Sequence, residues 1–275
     1  MQGKKPLNYK EIGIIKSYKN TDKMKLTICR KHNEYEVNKV DFFNRPGKGE
    51  INDQKLDCNL SRAKNAVFEL AMCNTWNYFG NFTINGKKHD RDDLKGYYKK
   101  FSQWLRNYNK KHNIKIKYLF IPEKHDDGSW HMHGFLYGIP FDHLVPFKKG
   151  DKTEEGKPIP RDLWEKGYYN WPAYMKKFGW NSFGLIENHE AITKYVTKYI
   201  SKELNESVQE INAKSYYCSQ GLEKATEVER GYLAVPVKDA DCDFVNDYVK
   251  IINFKRDQLP FILDNIVPLE INKNK

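Results

Sequence analysis

The sequence predicts an α+β protein built on a ferredoxin-like (RRM-like) antiparallel sheet with helices on one face. The predicted elements between residues 76 and 186 follow the order strand, helix, hairpin, helix, strand, which is the element order of that sheet. In this topology the first and third strands lie together at the centre, so the strand at residues 130–137 is central. One face of that strand is expected to be buried through Trp130, Met132 and Leu136.

The 275 residues allow one main domain with additions at both ends. We predict an N-terminal extension at residues 1–58, a central domain at residues 59–222, and a C-terminal extension at residues 223–275 whose role the sequence does not indicate. Within the first extension, alternating apolar residues predict short strands at residues 12–18 and 25–29.

The central domain carries helix and strand patterns along its whole length. Apolar residues recur at three- and four-residue steps in the predicted helices and alternate in the predicted strands. In chain order, the predicted elements are a helix at 61–73, a strand at 76–84, a helix capped by Asp90 and ending near His112, the hairpin strands at 114–123 and 130–137, a short helical stretch at 161–178, a strand at 183–186, and a helix at 190–204.

The predicted hairpin carries a possible metal site. His131 and His133 are separated by one residue, so both imidazoles project from the same face of a strand. If residues 126–128 form the loop, with Gly128 in the left-handed position, the register places Glu123 directly across from His131. A carboxylate then faces two imidazoles, and three ligands leave positions open for water or substrate, as catalytic metal sites do.

The predicted helix at 190–204 carries two tyrosines one turn apart. Ile192, Val196, Ile200 and Leu204 form an apolar stripe, Tyr195 and Tyr199 form a second row, and the third row consists of Lys194, Lys198 and Lys202. Ammonium groups beside a phenol favour the phenolate and neutralise charge on a phosphoryl group under attack. Alternatively, the tyrosines only widen the apolar stripe and the lysines form a solvated face.

The composition favours a polyanionic partner. The formal net charge is +11 and the isoelectric point is near 9.2, which suits nucleic acid or an acidic membrane surface. Aromatic residues make up 14% of the chain and favour single-stranded DNA, which offers base faces as well as phosphates. Residues 97–101 and 174–178 interleave aromatics with lysines, a pattern that either contacts DNA or belongs to an amphipathic helix.

The cysteine pattern and the hydropathy indicate an intracellular, soluble protein. The five cysteines, at positions 29, 58, 73, 218 and 242, show no paired metal spacing, so neither a disulfide framework nor a zinc ribbon is predicted. No window approaches the ~18 apolar residues that cross a bilayer, and no stretch of signal-peptide length follows the N-terminus.

Together the two motifs resemble the His-hydrophobe-His (HUH) endonucleases, specifically the rolling-circle replication initiators (Rep proteins) of bacterial plasmids, phages and integrative elements. The resemblance extends from about Leu60 to Leu222. It is carried by Leu-Ser-Arg-Ala-Lys at 60–64, the first strand and its approach at 74–85, the hairpin from Pro-Glu-Lys-His at 122–125 to His-Gly at 133–134, and Tyr-Tyr-Cys-Ser-Gln-Gly-Leu at 216–222.

The resemblance implies an HUH endonuclease fold and a site-specific nick in single-stranded DNA at a replication origin. A tyrosine attacks a DNA phosphate and leaves a 5′-phosphotyrosine link and a free 3′-hydroxyl. The residues carried over are the metal ligands Glu123, His131 and His133 for Mg²⁺ or Mn²⁺, and the catalytic Tyr195, Tyr199, Lys198 and Lys202. The implied partners are a host helicase and polymerase in the bacterial cytoplasm, with no membrane and no further cofactor.

Several alternatives stay open at this point. A non-catalytic origin-binding or repressor protein would use the charge and aromatics alone, and a metal-dependent hydrolase would use the same ligands without a protein adduct. Relaxases and transposases of the HUH type share the chemistry. The ligand set does not choose decisively between Mg, Mn and Zn, and the motif does not say which tyrosine acts first.

Overall fold

The computed structural model describes residues 11–30, 53–125, 127–153, 156–201, 204, 207–208, 213–245 and 249–268. The strands are β1 (Glu11–Ser17), β2 (Lys23–Arg30), β3 (Tyr78–Thr83), β4 (Lys117–Lys124), β5 (Trp130–Tyr137), β6 (Val145–Pro146), β7 (Tyr169–Asn170), β8 (Asn181–Leu185), β9 (Tyr217–Cys218), β10 (Thr226–Leu233), β11 (Phe244–Val245), β12 (Val249–Lys255) and β13 (Ile266–Pro268). The helices are α1 (Asp53–Cys73), α2 (Leu94–His112), α3 (Arg161–Glu165), α4 (Pro172–Lys177), α5 (His189–Val196) and α6 (Leu259–Leu263).

The protein is a mixed α+β structure with two antiparallel sheets, which divide between two compact units. The terminal unit combines Met1–Glu50 with Glu223–Lys275, and the central unit is Ile51–Leu222. The two ends of the chain therefore contribute to one unit, whereas the sequence alone suggested two separate extensions. The division at residues 58 and 222 remains a prediction about how the chain folds.

The terminal unit is a six-stranded sheet in the order β11-β12-β2-β1-β10-β13. β1, from the start of the chain, pairs with β10 from its end, for example through Ile12 and Tyr232. Alternating apolar residues on one face of these strands form its core, which consists of Ile15, Met24, Leu26, Ile28, Phe254 and Ile266.

The central unit contains a seven-stranded sheet in the order β6-β7-β8-β3-β5-β4-β9. β3 lies between β8 and β5, and β5 lies between β3 and β4. The predicted pairing of the first strand with the histidine strand is therefore present, and both strands are interior to the sheet. An interior strand has both edges hydrogen-bonded, which fixes the positions of the side chains it carries.

Helices cover both faces of this sheet. We call the face that carries His131 and His133 the front face and the other the back face. On the back face, ring contacts join α2 to β4 and α4 to β3, as for Phe101 with Phe120 and Phe82 with Tyr174. On the front face lie α5 and, in contact with it, α1. The expectation of helices on one face therefore holds only for α2 and α4.

Helix α2 begins and ends at clear caps. Asp93, not the predicted Asp90, is the N-cap, and its side chain accepts a hydrogen bond from the backbone N–H of Gly96 at 2.8 Å. At the other end, Asn113 adopts the left-handed conformation with φ 53° and stops the helix after His112, where the sequence predicts its end.

The two aromatic and lysine segments belong to amphipathic helices. Tyr97, Phe101, Tyr174 and Phe178 are buried in the core, and the Tyr97 and Tyr174 hydroxyls lie 2.8 Å apart. Burying each such ring contributes about 1.5–3 kcal/mol. These aromatics are therefore not available to stack on DNA, so the amphipathic-helix interpretation of both segments is correct.

The helix that carries the tyrosines is shorter than predicted. α5 ends at Val196, a 3₁₀ turn follows at Thr197–Tyr199, and Ile200 leaves the helical region with ψ 81°. β-Branched residues lower helix propensity here, and the Thr193 and Thr197 hydroxyls donate to backbone carbonyls, a competing local bond. The predicted helix to residue 204 is wrong beyond this turn, although Ile200 is buried as expected.

Within the described part of the chain, no helix combines the length and the apolar character needed to cross a bilayer.

Candidate metal centre and tyrosine pair

The β4–β5 hairpin sets the metal-ligating side chains in place. Its register pairs Glu123 with His131, as the sequence predicts. Gly128 has φ +82° in the loop, and the His125 N–H donates to the Ser129 carbonyl at 2.9 Å to close it. The predicted loop and its left-handed glycine are confirmed; Asp126, within that loop, lies outside the described residues.

Three ligand atoms converge on one point of the front face. His131 Nε2 lies 2.6 Å and His133 Nε2 lies 2.5 Å from the same oxygen, Glu123 Oε2, and the two Nε2 atoms are 3.0 Å apart. Both imidazole side chains are buried, whereas the Glu123 side chain is 41% exposed. Among the described residues these three form a group that could hold a metal ion. The group is open toward solvent on the carboxylate side.

The protonation states suit metal binding. Burial lowers the pKa of His133 to about 4 and also lowers that of His131, against the opposing effect of Glu123. For Glu123, burial raises the pKa but the hydrogen bonds from both histidines outweigh it, so the net shift is downward. At neutral pH the site therefore presents two neutral imidazoles and one carboxylate, which are the forms that bind a cation.

Packing fixes the orientation of the histidines. On the back face Trp130, Met132 and Leu136 are buried at 1%, 0% and 0% exposure, as predicted for this strand. On the front face the His133 ring stacks on Tyr199 with centroids 3.8 Å apart. His133 Nδ1 is buried without a hydrogen-bond partner in the described structure. Its ring is therefore positioned by stacking instead of the second hydrogen bond that metal-bound histidines usually make.

The two tyrosines meet beside the cluster. Their hydroxyl oxygens are 2.6 Å apart, and the Tyr195 ring packs edge-on against Phe79 of β3. The Tyr199 ring is the one stacked on His133, while Tyr195 is 42% exposed. The structure therefore brings both predicted tyrosines to the predicted metal ligands, with Tyr199 nearer to His133 and Tyr195 nearer to solvent.

The lysines do not favour the phenolate as predicted. Burial, the hydrogen bond from Tyr195 and the Glu123 charge all raise the pKa of Tyr199. Lys194 instead pairs with Glu190 at 2.9 Å, and the Lys198 ammonium lies 5.6 Å from the centre of the Tyr195 ring. Lys202 is outside the described residues. In this arrangement both phenols are protonated at neutral pH.

The front face continues as an uncovered polar floor that the sequence did not reveal. Asn81 and Thr83 of β3 lie opposite His133 and His131, and Ser182 of β8 lies opposite Asn81. Side chains at such positions share a face with Cβ atoms about 4.5–5.5 Å apart. Asn81 is exposed and Thr83 half-buried. Only the pairing register identifies these residues, because the local sequence gives no sign of it.

A cavity of about 390 Å³ opens next to the tyrosines, and its lining includes Glu123, Tyr195, Lys198, Tyr199 and Ser201. This volume is within the range of small-ligand sites. It joins the carboxylate ligand, both phenols and one ammonium group in a single opening.

These features define a candidate metal site on an antiparallel sheet with a pair of tyrosines beside it. Residues 77–204, less than half of the 275-residue chain, match the family of replication-associated proteins that is described under ORF2 and includes the phage rolling-circle Rep proteins. This part of the chain is a replication-associated protein of that family, so the recognition from sequence is confirmed. The family implies a role in the initiation of rolling-circle replication. No curated protein and no solved structure matches the chain significantly.

Proposed function

We propose that this protein nicks one strand of DNA at a replication origin and remains linked to the new 5′ end through a tyrosine. The observation that carries the proposal is the contact between the two motifs: Tyr199 stacks on the ligand His133, and its hydroxyl is 2.6 Å from that of Tyr195. Residues 66 positions apart in the chain thus share one opening with Glu123.

The central fold is consistent with the HUH type. Four neighbouring strands, β8-β3-β5-β4, follow the order expected for a ferredoxin-like sheet, and α2 and α4 pack on its back face. We infer that α1 and α5 are additions on the front face.

Glu123, His131 and His133 would hold the divalent ion, Mg²⁺ or Mn²⁺. Imidazole nitrogen and carboxylate oxygen are suitable donors, and their convergence within 3.0 Å in the required protonation states supports the assignment. When bound, such an ion would polarise the scissile phosphate and offset the Glu123 charge that raises the pKa of Tyr199.

The chain's own side chains supply the nucleophile and the charge balance. The phenolic oxygen forms a bond to phosphorus while the bond from phosphorus to the 3′-oxygen breaks; the phenol gives up its proton and the 3′-oxygen takes one up. One phosphodiester replaces another, so a 3′-hydroxyl could later reverse the step without a nucleotide cofactor. Lys198 is positioned to neutralise charge on the phosphate near Tyr195.

We propose that Tyr199 makes the first attack and Tyr195 the second. Tyr199 lies on the ligand ring, whereas Tyr195 is more exposed and could reach an incoming strand. The hydrogen bond between the hydroxyls lets the idle phenol accept or deliver a proton for the other. Lys202 keeps its predicted role as the lysine partner of Tyr199.

The test is adduct formation on single-stranded origin DNA with Mn²⁺ or Mg²⁺, read on a denaturing gel. Tyr199→Phe should remove most of the first adduct, Tyr195→Phe less, and the double variant all of it. Tyr137→Phe, at a tyrosine of β5 that is 38% exposed, is a matched control and should behave like the parent.

An adduct that persists in the double variant would refute the tyrosine assignment. Metal-dependent cleavage without any adduct would identify a hydrolase instead, and DNA binding without cleavage would identify an origin-binding protein. The same gel separates the three outcomes.

A further inference from the structure

A second cavity on the front face lies next to the metal ligands, on the side away from the tyrosines. It has a volume of about 420 Å³, and Thr83, Asn85, Arg91, Met175 and Trp180 are part of its lining. Thr83 is the register partner of His131, so the cavity begins one strand spacing from a metal ligand. The sequence analysis did not single out any of these residues.

Trp180 is held as a fixed platform in this cavity. Its ring stacks on Phe147 with centroids 5.2 Å apart and an interplanar angle of 25°, and its carbonyl accepts a hydrogen bond from Thr83 N–H at 2.8 Å. Trp180 is half-buried, so part of the indole remains open to a ligand. A ring already ordered in this way loses little conformational entropy when another ring stacks on it.

The charges near the cavity favour a neutral ring over a phosphate. Arg91 donates to Ser129 Oγ at 2.6 Å and lies 3.5 Å from Asp127, which offsets its charge. The neighbouring Asp90 and Asp92 add negative charge. Thr83 and Asn85 supply a hydroxyl and an amide beside the apolar Trp180 surface. Apolar walls with a few polar groups are typical of sites that bind small planar ligands.

We propose that this cavity binds one base of the DNA strand, from a nucleotide next to the scissile phosphate, with Trp180 as the stacking surface. The proposal rests on the nicking function above, because that function places a single strand across the front face. Sequence recognition would then come partly from this base, while exposed lysines contact the backbone.

The test is a cycle that combines protein and DNA changes. The full-length protein, in EDTA so that no cutting occurs, selects a tight oligonucleotide from a random single-stranded library. Each base is then removed in turn, and affinity is measured by fluorescence anisotropy for the parent and Trp180→Ala. We expect one abasic position to weaken the parent about 10- to 100-fold, since a base stacked on an aromatic ring contributes about that much. Trp180→Ala should weaken the intact oligonucleotide equally and lose nothing more at that position.

Trp180→Phe should restore part of the affinity. Trp164→Ala, at a half-buried tryptophan on α3, is the matched control and should respond to every abasic site like the parent. Equal sensitivity of Trp180→Ala and the parent at all positions would overturn the proposal, as would unchanged affinity of Trp180→Ala for the intact strand.

A measurement on the parent protein covers the case in which Trp180→Ala does not fold. 5-Iododeoxyuridine placed at each position that the parent's abasic scan marks as important should cross-link to the peptide that contains Trp180; cross-links only to other peptides overturn the proposal. Mn²⁺ added afterwards maps the linked phosphate, which should adjoin that position. If no adduct forms, the nicking function fails while the binding cycle still decides the cavity.

Discussion

The hairpin and the tyrosine segment reach the same point in opposite ways. The hairpin ligands stand on interior strands whose reverse face is buried, as Met132 at 0% exposure shows. The tyrosines stand at the end of a helix of eight residues that passes into a 3₁₀ turn, and Tyr195 is 42% exposed. We infer that the metal centre is built to stay fixed and the nucleophile segment to allow movement.

This difference suits the proposed reaction. A metal centre has to hold its ligands in a precise arrangement, whereas a tyrosine that is joined to DNA has to make room for the second one. Substitutions in the two regions should therefore affect different quantities. Those in the hairpin should change metal affinity and stability, and those in the tyrosine segment should change adduct formation.

The largest effect is expected from the metal ligands. His133→Ala or Glu123→Ala should lower the rate of metal-dependent cleavage about 1,000-fold, because a bound cation contributes several kcal/mol and each ~1.4 kcal/mol is tenfold. Mn²⁺ titration calorimetry and single-turnover cleavage measure it. His112→Ala, at the end of α2, serves as the control and should keep both properties. Cleavage at the parental rate in either ligand variant would remove the site from the mechanism.

The buried side of the hairpin is the next region to test. Met132→Ala should lower the free energy of unfolding of the central unit by about 2–5 kcal/mol, since it leaves a cavity behind the histidines. It should also reduce cleavage although every ligand remains. Urea denaturation gives the stability change. Tyr195→Phe removes one hydroxyl at a partly exposed position and should cost at most about 1 kcal/mol. Equal losses in the two variants would contradict the contrast between the regions.

Acid should destabilise the hairpin before it affects the tyrosines. The pKa of His133 is lowered by burial to about 4 in the fold, so the unfolded chain takes up a proton near pH 6.5 while the folded chain does not. Stability is therefore lost as the pH falls from about 6.5 toward 4, by up to about 1.4 kcal/mol per pH unit. From pH 7 to 5 in EDTA we expect a loss of about 2 kcal/mol.

His133→Gln has no titrating ring and should show a smaller loss over this interval. Denaturation curves at the two pH values measure it. An unchanged pH dependence in His133→Gln would mean that another group is responsible.

The smallest effect is expected at the cap of the tyrosine helix. The Asn188 side chain accepts a hydrogen bond from Ala191 N–H at 2.9 Å, and Asn188→Ala should cost about 1 kcal/mol. Adduct formation should fall while Mn²⁺ affinity stays the same, because the cap acts on α5 alone. Asn188→Asp keeps the acceptor and should retain adduct formation. A change in Mn²⁺ affinity in Asn188→Ala would show that the two regions are coupled.

The fold was only partly accessible from sequence patterns. Strong periodicity gave the strands of the hairpin and the end of α2 at His112 correctly. The helix at 190–204 was predicted too long because its apolar spacing is helical, while β-branched residues and threonine hydroxyls end the helix after Val196. The pattern of buried side chains continues past the helix, so spacing alone could not reveal its end.

By itself the sequence determined the hairpin, its loop and the meeting of Glu123 with His131 and His133. That information is local: alternation along a strand sets the face, and the loop sets the register. Only the tertiary structure decided that Tyr199 lies on His133, that the two ends of the chain share one sheet, and that Trp180 stands beside the metal ligands. Those contacts join residues far apart in the chain, and they depend on how whole elements pack, which no short stretch of sequence encodes.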